Sequence, residues 1–505
     1  MEPPPLLNGF GQDTRLQQRV YDRIAQAVLA GQLKPGDRLP STRELARSLG
    51  IGRNTVTWAF EQLAAEGFIE TRHGSGTFVS SELRNHTRPR KLSPADRPVK
   101  TAARLARRAE RYATVAQSLR VPQKLVPFRI NMPAIDAFPT VLWRRLINGL
   151  LSDDAIGGHT LLGEVEPAGY APLRQAIARY LIINRGVQCS ADQVIIVAGA
   201  QQGLDLAVRL LLDPGDTAWC EDPGFPGSIA ALRAGGARIG AVPVDRDGID
   251  IEFGKARHPE ARLAVVCPSS QFPLGSTMSL SRRLALIDWA RRRDAWIVED
   301  DYDSEFRYRG RPVHSLQGLD GGSRVVYVGT FSKLLFPGLR LAYLVVPKSV
   351  VELFVNARIV AGRQSPTLEQ AVVERFMSEG HLGRHIARMR RLYTKRRQLL
   401  IEACRDHIKD LLHIQPSDAG LQTIAWLPND FDDQTVSQDA ADAGLEIPPL
   451  SRLTIERRLP PALLLGFGHL TETQIRSGAA RLATILKSHR HRGRRRTNGH
   501  TLVNE

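Results

Sequence analysis

A lysine, an acidic triplet and an arginine stand where a cofactor with a reactive carbonyl group could be held. Lys333 lies in Gly-Thr-Phe-Ser-Lys, beside hydroxyl side chains, and Arg340 follows seven residues later. Asp300 and Tyr302 lie together in Glu-Asp-Asp-Tyr-Asp. A lysine amine can bond to an aldehyde, and an aspartate can keep a cationic ring nitrogen protonated. These residue types suit pyridoxal 5'-phosphate.

Each group of this cofactor has a candidate partner in the sequence. Lys333 would form the Schiff base, and Asp300 would pair with the ring nitrogen. Tyr302 and Gln271 would hydrogen-bond the ring oxygen, and Phe225, in Asp-Pro-Gly-Phe, could stack on the ring. The phosphate would be held by a guanidinium fork, by hydroxyl groups and by backbone N–H groups at the start of a helix, contributed by Arg340, Thr330, Ser332, Gly199, Ala200 and Gln201.

The elements that position these groups alternate between apolar runs and amphipathic segments. Strands are predicted over 194–197, 263–267, 295–298, 324–328 and 341–346, and a helix after Gln202. This alternation favours a mostly parallel sheet with helices on both faces. Sites in such sheets lie at the carboxyl ends of the strands, where the candidate residues stand.

The amino-terminal segment has a different pattern, with three short helices followed by a hairpin. Apolar residues at helical spacing predict a first helix over 16–29. Ser41 and Glu44 form a capping box that opens a second helix, and a third runs from Asn54 to Glu66. Strand-like runs then flank His-Gly-Ser-Gly, which gives a winged helix-turn-helix pattern that would lay the third helix in a major groove.

Residues 16–80 resemble the GntR family of bacterial transcription factors. The match consists of Leu-Pro-Ser, an x-x-Glu-Leu-Ala stretch, the third helix and the wing Gly-x-Gly-Thr-Phe-Val. The resemblance implies contacts to bases or phosphates of double-stranded DNA from Arg43, Arg53, Asn54, Thr55 and Thr57, with His73 and Gly74 reaching the backbone from the wing.

Residues 127–486 resemble fold-type I aminotransferases. The strings Glu-Asp-Asp-Tyr-Asp-Ser-Glu-Phe and Gly-Thr-Phe-Ser-Lys-Leu-Leu-Phe-Pro-Gly-Leu-Arg look like the MocR/GabR subfamily, in which a GntR domain is fused to an aminotransferase-like domain. The resemblance implies an α/β fold, a pyridoxal 5'-phosphate cofactor and a head-to-tail homodimer, whose two heads would read an operator with two half-sites. We therefore expect four segments: a winged helix-turn-helix at 14–82, a basic linker at 83–124, an aminotransferase-like domain at 125–487 and a basic, disordered tail at 488–505.

Several residues depart from the pattern of this subfamily. Glu164 stands where a tyrosine is common, which removes an expected phosphate contact across the dimer. Gly227 replaces an arginine that binds the effector in GabR, so the ligand need not be GABA. Ser270, Leu274 and Phe225 replace a frequent histidine, a threonine or serine, and a tyrosine. The candidate for an effector-carboxylate arginine near the end of the domain is Arg452.

The excess of positive charge is concentrated outside the aminotransferase-like domain. The chain has a formal charge of +17. Residues 84–120 contain eleven Lys or Arg and two acids, and residues 487–496 contain six Lys or Arg and no acid. Such stretches can neutralise DNA phosphates with salt-sensitive affinity, although a merely solvated linker and tail would have the same composition.

Cysteine spacing and hydropathy limit the classes of protein to which this chain could belong. The four cysteines lie tens of residues apart, which suggests neither a metal site nor a disulfide framework. No apolar run is long enough for a membrane span, and the first residues lack the features of a signal peptide. We expect a cytoplasmic protein with reduced, mostly buried cysteines.

Two functions compete for this chain. The first is a transcription regulator whose aminotransferase-like domain senses an amino compound or pyridoxal phosphate itself. The second is an active aminotransferase with secondary DNA binding, in which Lys333 also moves protons. A weaker alternative is a nucleoid-type basic DNA binder. We favour the regulator, because the amino-terminal pattern has no use in an ordinary metabolic enzyme.

Overall fold

The computed structural model describes residues 16–72, 74–82, 105–119, 125–153, 161, 163–308 and 314–500. Contacts divide the chain into two compact units, Met1–Arg104 and Leu105–Glu505. In the described part of the chain, no helix combines the length and apolarity that crossing a bilayer requires.

The first unit contains three helices and a hairpin: α1 (Leu16–Leu29), α2 (Thr42–Leu49), α3 (Arg53–Ala65), β1 (Ile69–Arg72) and β2 (Gly76–Val79). Ser41 caps α2 in the predicted capping box, and Gly50 ends it in the left-handed conformation. The apolar faces of the helices meet in a small core that includes Val20, Val56 and Leu63, none of them exposed. The winged helix-turn-helix prediction is confirmed, with α3 starting one residue earlier than expected.

The second unit is built around an eight-stranded sheet with the order β3-β10-β9-β8-β7-β4-β5-β6. Its strands are β3 (Val194–Val197), β4 (Thr217–Asp222), β5 (Arg238–Asp245), β6 (Gly248–Ile249), β7 (Leu263–Val266), β8 (Trp296–Asp301), β9 (Val325–Thr330) and β10 (Ala342–Val345). β5, β4, β7, β8 and β9 run parallel, whereas β10 is antiparallel to both β9 and β3. Helices cover both faces, which is why the central strands are continuous apolar runs.

The helices of this unit are α4 (Arg107–Leu119), α5 (Thr140–Leu151), α6 (Ala171–Arg185), α7 (Ala200–Leu211), α8 (Pro226–Gly235), α9 (Ile251–Arg257), α10 (Leu280–Arg293), α11 (Leu316–Asp320), α12 (Val351–Gly362), α13 (Thr367–Ser378), α14 (His381–Ile408), α15 (Asp433–Asp442) and α16 (Glu472–His500). A separate antiparallel sheet follows, with β11 (His413–Gln415), β12 (Gln422–Trp426) and β13 (Ala462–Gly466). The two long helices α14 and α16 pack against each other beside it. The α/β class and the mostly parallel sheet are thus confirmed.

Two predicted boundaries differ from the structure. The expected linker at 83–124 includes α4, which packs on α8 and belongs to the second unit. The expected disordered tail is helical over most of its length, because α16 continues to His500. Leu486 is fully buried and His489 bonds to Asp439 at 2.8 Å, so packing continues the helix into the start of the predicted tail.

The cysteines are mostly buried, as the sequence predicts. Cys220, Cys267 and Cys404 are buried, Cys189 is half-buried, and all four are free.

Candidate functional site

Lys333 lies in the loop that follows β9, at the carboxyl end of the parallel strands. Its amine donates a hydrogen bond to the backbone oxygen of Asn131 at 2.7 Å. Burial lowers the pKa of Lys333 to about 8, while the carboxylates of Asp303 and Asp300 act in the opposite direction. A lysine held in this way is closer to its neutral, nucleophilic form at pH 7 than a surface lysine.

The alternation of β8 separates two neighbouring acids. Asp301 accepts hydrogen bonds from Arg185 at 2.8 Å and from the hydroxyl of Tyr327 at 2.5 Å. Asp300 points to the opposite face, is 3% exposed, and its Oδ1 has no hydrogen-bond partner among the described residues. Burial, aided by the charge of Asp301, raises the pKa of Asp300 to about 7. A buried acceptor without a donor is costly, so Asp300 is the acid that a cationic group could satisfy.

An anion cradle lies at the start of α7. Gly199 precedes this helix with φ +112° and ψ 157°, a conformation that suits glycine. A Cβ atom at this position would lie 3.0 Å from Nη2 of Arg340, so the guanidinium group sits against the glycine. The unpaired N–H groups at the start of α7 and the arginine fork therefore face the same space, as phosphate binding requires.

The hydroxyl groups predicted near the phosphate share a tight turn. Oγ1 of Thr330 accepts a hydrogen bond from the backbone N–H of Ser332 at 3.1 Å. Thr330 ends β9 and is buried, whereas Ser332 is half-buried. Gln201, in the first turn of α7, donates through its side chain to the carbonyl oxygen of Gly227 at 2.9 Å. The predicted contact of Gln201 with the phosphate needs only its backbone N–H group, and not its side chain.

Tyr302 and Phe225 line the same region. The hydroxyl of Tyr302 donates to the carbonyl oxygen of Ser270 at 3.0 Å. Phe225 caps the start of α8 and meets the ring of Phe272 edge-on, with 5.6 Å between ring centroids. Both side chains are partly buried and pack against an apolar cluster that includes Phe272.

Gln271 is hydrogen-bonded to two neighbouring loops. It is 2% exposed, and its side-chain nitrogen donates to the carbonyl oxygen of Pro223 at 2.8 Å. Its side-chain oxygen accepts from the backbone N–H of Leu274 at 3.1 Å. The amide therefore joins two loops, and the predicted hydrogen bond from Gln271 to the ring oxygen stays a prediction.

Arg452 is the predicted partner of an effector carboxylate. It lies on the 3-10 turn Leu450–Leu453 with an exposed side chain. The flanking residues Leu450 and Leu453 are buried in the cluster that also contains Phe272. The turn thus adjoins the site while the guanidinium faces solvent, and the predicted contact to an effector carboxylate stays a prediction.

Glu164 forms an ion pair with Arg363 at 2.9 Å, with both side chains about four-fifths exposed. This position therefore presents a carboxylate in place of the phenol that is common in the subfamily.

Three residues of the site were not predicted from sequence. Asn131 contacts Lys333 across 202 positions of the chain, so no local pattern indicates it. Asp303 is 3% exposed, and Glu221 is equally buried with a pKa that burial raises to about 8. Glu221 lies near the carboxyl end of β4, and predicting that strand would have identified it by the rule applied to the others.

The residues predicted to contact DNA lie on one unit, at the start of α2, the start of α3 and the wing. Arg43, Arg53 and Asn54 are exposed, while Thr55 and Thr57 are half-buried. Gly52 precedes α3 without a side-chain cap, which leaves the first N–H groups of that helix free for phosphate. Gly74 lies at the tip of the hairpin with φ +73°, and His73 lies outside the described residues.

The wing has a further basic group that the sequence did not single out. A Cβ atom at Gly76 would lie 3.1 Å from Nε of Arg38, which places the Arg38 side chain against the hairpin. Arg72 lies over the ring of Phe78, 5.0 Å from its centroid. Both guanidinium groups add positive charge beside the tip.

Comparison with known proteins agrees with the division of the chain into two units. Residues 16–79 match the model of bacterial regulatory proteins of the gntR family, and residues 151–482 match aminotransferase class I and II. The chain is 38% identical over 471 residues to the probable rhizopine catabolism regulatory protein MocR of Rhizobium meliloti, covering 92% of each protein. It is 30% identical over 465 residues to the pyridoxine biosynthesis transcriptional regulator PdxR of Corynebacterium glutamicum, covering 92% of this chain and 94% of PdxR.

Solved structures extend the comparison to enzymes. Kynurenine aminotransferase of Pyrococcus horikoshii, in complex with PMP, has a TM-score of 0.67 and 26% identity, covering 77% of this chain and 95% of the enzyme. The enzyme covers a smaller share of this chain than the regulators MocR and PdxR, which each cover 92% of it. The chain belongs to the MocR/GabR subfamily of GntR-type transcription regulators, in which a helix-turn-helix domain is joined to a class I/II aminotransferase domain.

Proposed function

We propose that this regulator holds pyridoxal 5'-phosphate in its second unit and controls DNA binding in response to an amino compound. The observation that carries the proposal is the Asp300 carboxylate, whose buried Oδ1 has no hydrogen-bond partner among the described residues. It lies close enough to Lys333 for the two charges to interact, and Arg340 lies against Gly199 at the start of α7. When bound, the cofactor would supply an aldehyde that reacts reversibly with amines.

The residues present suit each part of the cofactor. Asp300 would accept a hydrogen bond from the protonated ring nitrogen. This bond would give Oδ1 of Asp300 a partner and would favour the ionised carboxylate. Arg340 and the first N–H groups of α7 would hold the phosphate, with Thr330 and Ser332 beside them. Tyr302 would turn its hydroxyl toward the ring oxygen, and Phe225 would cover one ring face. Lys333 would carry the covalent bond.

An amine is the expected effector because it can compete with Lys333 for the same carbonyl carbon. A ligand changes DNA binding only if it prefers one arrangement of the protein over another. Exchange of the covalent partner gives such a preference, since it releases Lys333 as a free amine. Pyridoxal phosphate itself is a second candidate effector, and the name of the relative PdxR, which refers to pyridoxine biosynthesis, supports keeping it.

Exposed apolar side chains on the second unit support a homodimer with two DNA-binding heads. Three apolar side chains of α12 are exposed: Leu353 by 58%, Ile359 by 42% and Val360 by 88%. Contact between two copies would remove them from water. Two heads would then read an operator with two half-sites.

Removing the amine of residue 333 tests the cofactor assignment. We expect Lys333→Ala to lose the absorbance band of lysine-bound cofactor after incubation with pyridoxal phosphate. Lys348→Ala, which changes an exposed lysine on the 3-10 turn Lys348–Val350, should keep it. An unchanged band in Lys333→Ala would contradict the assignment.

A titration of amines and amino acids tests the regulatory role. The absorbance of the bound cofactor and the retention of operator DNA are followed together. A change in both without steady product formation supports the sensor. Sustained conversion of an amino acid and a keto acid, with operator binding unaffected, would instead indicate an aminotransferase.

A further inference from the structure

Residues 36–39 extend the hairpin of the first unit along its second strand. The backbone N–H of Leu39 donates to the carbonyl oxygen of Thr77 at 2.9 Å. Arg38 stands opposite Phe78 in an antiparallel bridge. Because β2 also pairs with β1, it lies in the middle of this small sheet, with residues 36–39 along one edge.

The two faces of this small sheet differ in burial. Side chains alternate along a strand, so Leu39, Ile69 and Val79 share one face, and all three are buried in the core of the unit. Arg38 and Gly76 belong to the opposite face, which the core does not cover. The side chain of Arg38 is exposed there.

Gly76 leaves room for the guanidinium group of Arg38. A Cβ atom at this glycine would lie 3.1 Å from Nε, 3.4 Å from Nη2 and 3.6 Å from Cζ of Arg38. Arg38 stands opposite Phe78, whereas its guanidinium group lies against Gly76, two residues closer to the turn of the hairpin. The side chain of Arg38 therefore extends along β2 toward the tip of the wing, where Gly74 lies.

Arg38 also lies near the start of α2. Hydrogen bonds from Ser41 lower the pKa of Glu44, in the first turn of this helix, and the positive charge of Arg38 acts in the same direction. Arg43, one of the residues predicted to contact DNA, directly precedes Glu44. Arg38 thus adjoins two predicted DNA-contact regions, the wing tip and the start of α2.

The two arginines on this face of the sheet differ in their partners. Arg72 lies 2.7 Å from a carboxylate oxygen of Glu70, which offsets part of its charge. Arg38 has no ion-pair partner among the described residues. An exposed guanidinium group that rests on the backbone and keeps its full charge suits an anion with several acceptor oxygens, such as a phosphate of DNA.

We propose that Arg38 binds a phosphate of the DNA backbone beside the wing and adds affinity that does not depend on base sequence. Backbone contacts position a protein on the duplex, whereas contacts to base edges read the sequence. Base reading is then left to residues such as those at the start of α3. The inference rests on DNA binding by the first unit, which is part of the proposed function, and it does not depend on the cofactor.

Removing the guanidinium group should change the salt dependence of DNA binding. Each neutralised phosphate of a duplex contributes about 0.9 to the slope of log K against log salt concentration. We therefore expect Arg38→Ala to flatten this slope by about 0.9. The same relation makes the loss of affinity roughly eightfold at about 0.1 M salt and close to none at about 1 M.

The assay measures binding of the full-length protein, with pyridoxal phosphate in every sample, to two duplexes of equal length over a range of salt concentrations. One duplex has a mixed, unrelated sequence, and the wild-type protein selects the other from a random pool. Arg38→Ala should lose affinity for both duplexes by the same factor, so the ratio of the two affinities stays that of the wild type. Arg38→Lys keeps the positive charge and should recover most of the lost affinity.

Arg246→Ala is the matched control, because it removes an equal charge from a 95% exposed side chain of the second unit. Its slope should equal that of the wild type. A wild-type slope in Arg38→Ala overturns the inference, as does a loss confined to the selected duplex, which would indicate a base contact. If the Ala variant does not fold, Arg38→Gln replaces it and is held to the same outcomes, because it removes the charge and keeps much of the side chain.

The two proposals fail in different ways. A wild-type protein that binds neither duplex refutes the proposed function. A wild-type protein that binds both duplexes, with the same slope in Arg38→Ala, refutes only the role of Arg38.

Discussion

Adding one methyl group at Gly199 should weaken cofactor binding more than it weakens the fold. In Gly199→Ala the new Cβ would lie 3.0 Å from Nη2 and 3.2 Å from Cζ of Arg340. These distances are too short for an unmoved guanidinium group, and Arg340 is exposed enough to move away. The guanidinium group must therefore shift by a few tenths of an ångström from the place where it would hold the phosphate.

The substitution Gly199→Ala should lower two free energies, that of unfolding and that of cofactor binding. A side chain at φ +112° and ψ 157° costs of order 1–3 kcal/mol in unfolding free energy. Displacing Arg340 removes a charge-assisted hydrogen bond to the phosphate, worth about 1.5–3 kcal/mol. At about 1.4 kcal/mol per factor of ten, we expect the Kd for pyridoxal phosphate to rise roughly 10- to 100-fold.

Gly215→Ala separates these costs. Gly215 has φ +100°, and nothing lies within 4 Å of a Cβ built there. Both variants should therefore unfold at lower urea concentration, and only Gly199→Ala should bind the cofactor more weakly in an absorbance titration of apo-protein. Equal cofactor affinity in the two variants would refute the anion cradle at the start of α7.

Three further predictions concern the acids of β8, the recognition helix and the carboxyl-terminal helix. Asp300→Asn should weaken cofactor binding about tenfold or more with little loss of stability. Asp301→Asn should cost about 3–5 kcal/mol in urea unfolding, because it removes the carboxylate charge of the buried ion pair with Arg185. The pKa of Asp300 is about 7 in the folded protein, whereas its ordinary value is 3.8. The contribution of Asp300 to the stability of the apo-protein therefore falls as the pH rises from 3.8 to about 7. Asp300→Asn should remove this part of the pH dependence. Arg53→Ala should abolish sequence-specific retardation of operator DNA, while Arg246→Ala, which removes an equal charge from a 95% exposed side chain, should not. Truncation of residues 491–505 spares the packed part of α16, and it should flatten the salt dependence of DNA binding; an unchanged slope would exclude this segment from the interface.

Local patterns determined much of this protein from the sequence. The capping box at Ser41, the glycine at position 50 and the apolar spacing of α1 predict the helices of the first unit, because each is decided within a few residues. The apolar runs of β3 and β9 predict buried strands for the same reason. The lysine and the arginine of the site stand in strings specific enough to indicate both the family and the cofactor.

Long-range contacts decided the rest. The string Glu-Asp-Asp contains three acids in a row. Only the tertiary structure shows that Asp301 accepts hydrogen bonds from Arg185 and Tyr327, while no described residue hydrogen-bonds Oδ1 of Asp300. The contact of Asn131 with Lys333 and the use of Gln271 to fix two loops depend on segments brought together by the fold. A sequence fixes the type of a side chain, whereas its charge state and its partners depend on burial and neighbours that exist only in the tertiary structure.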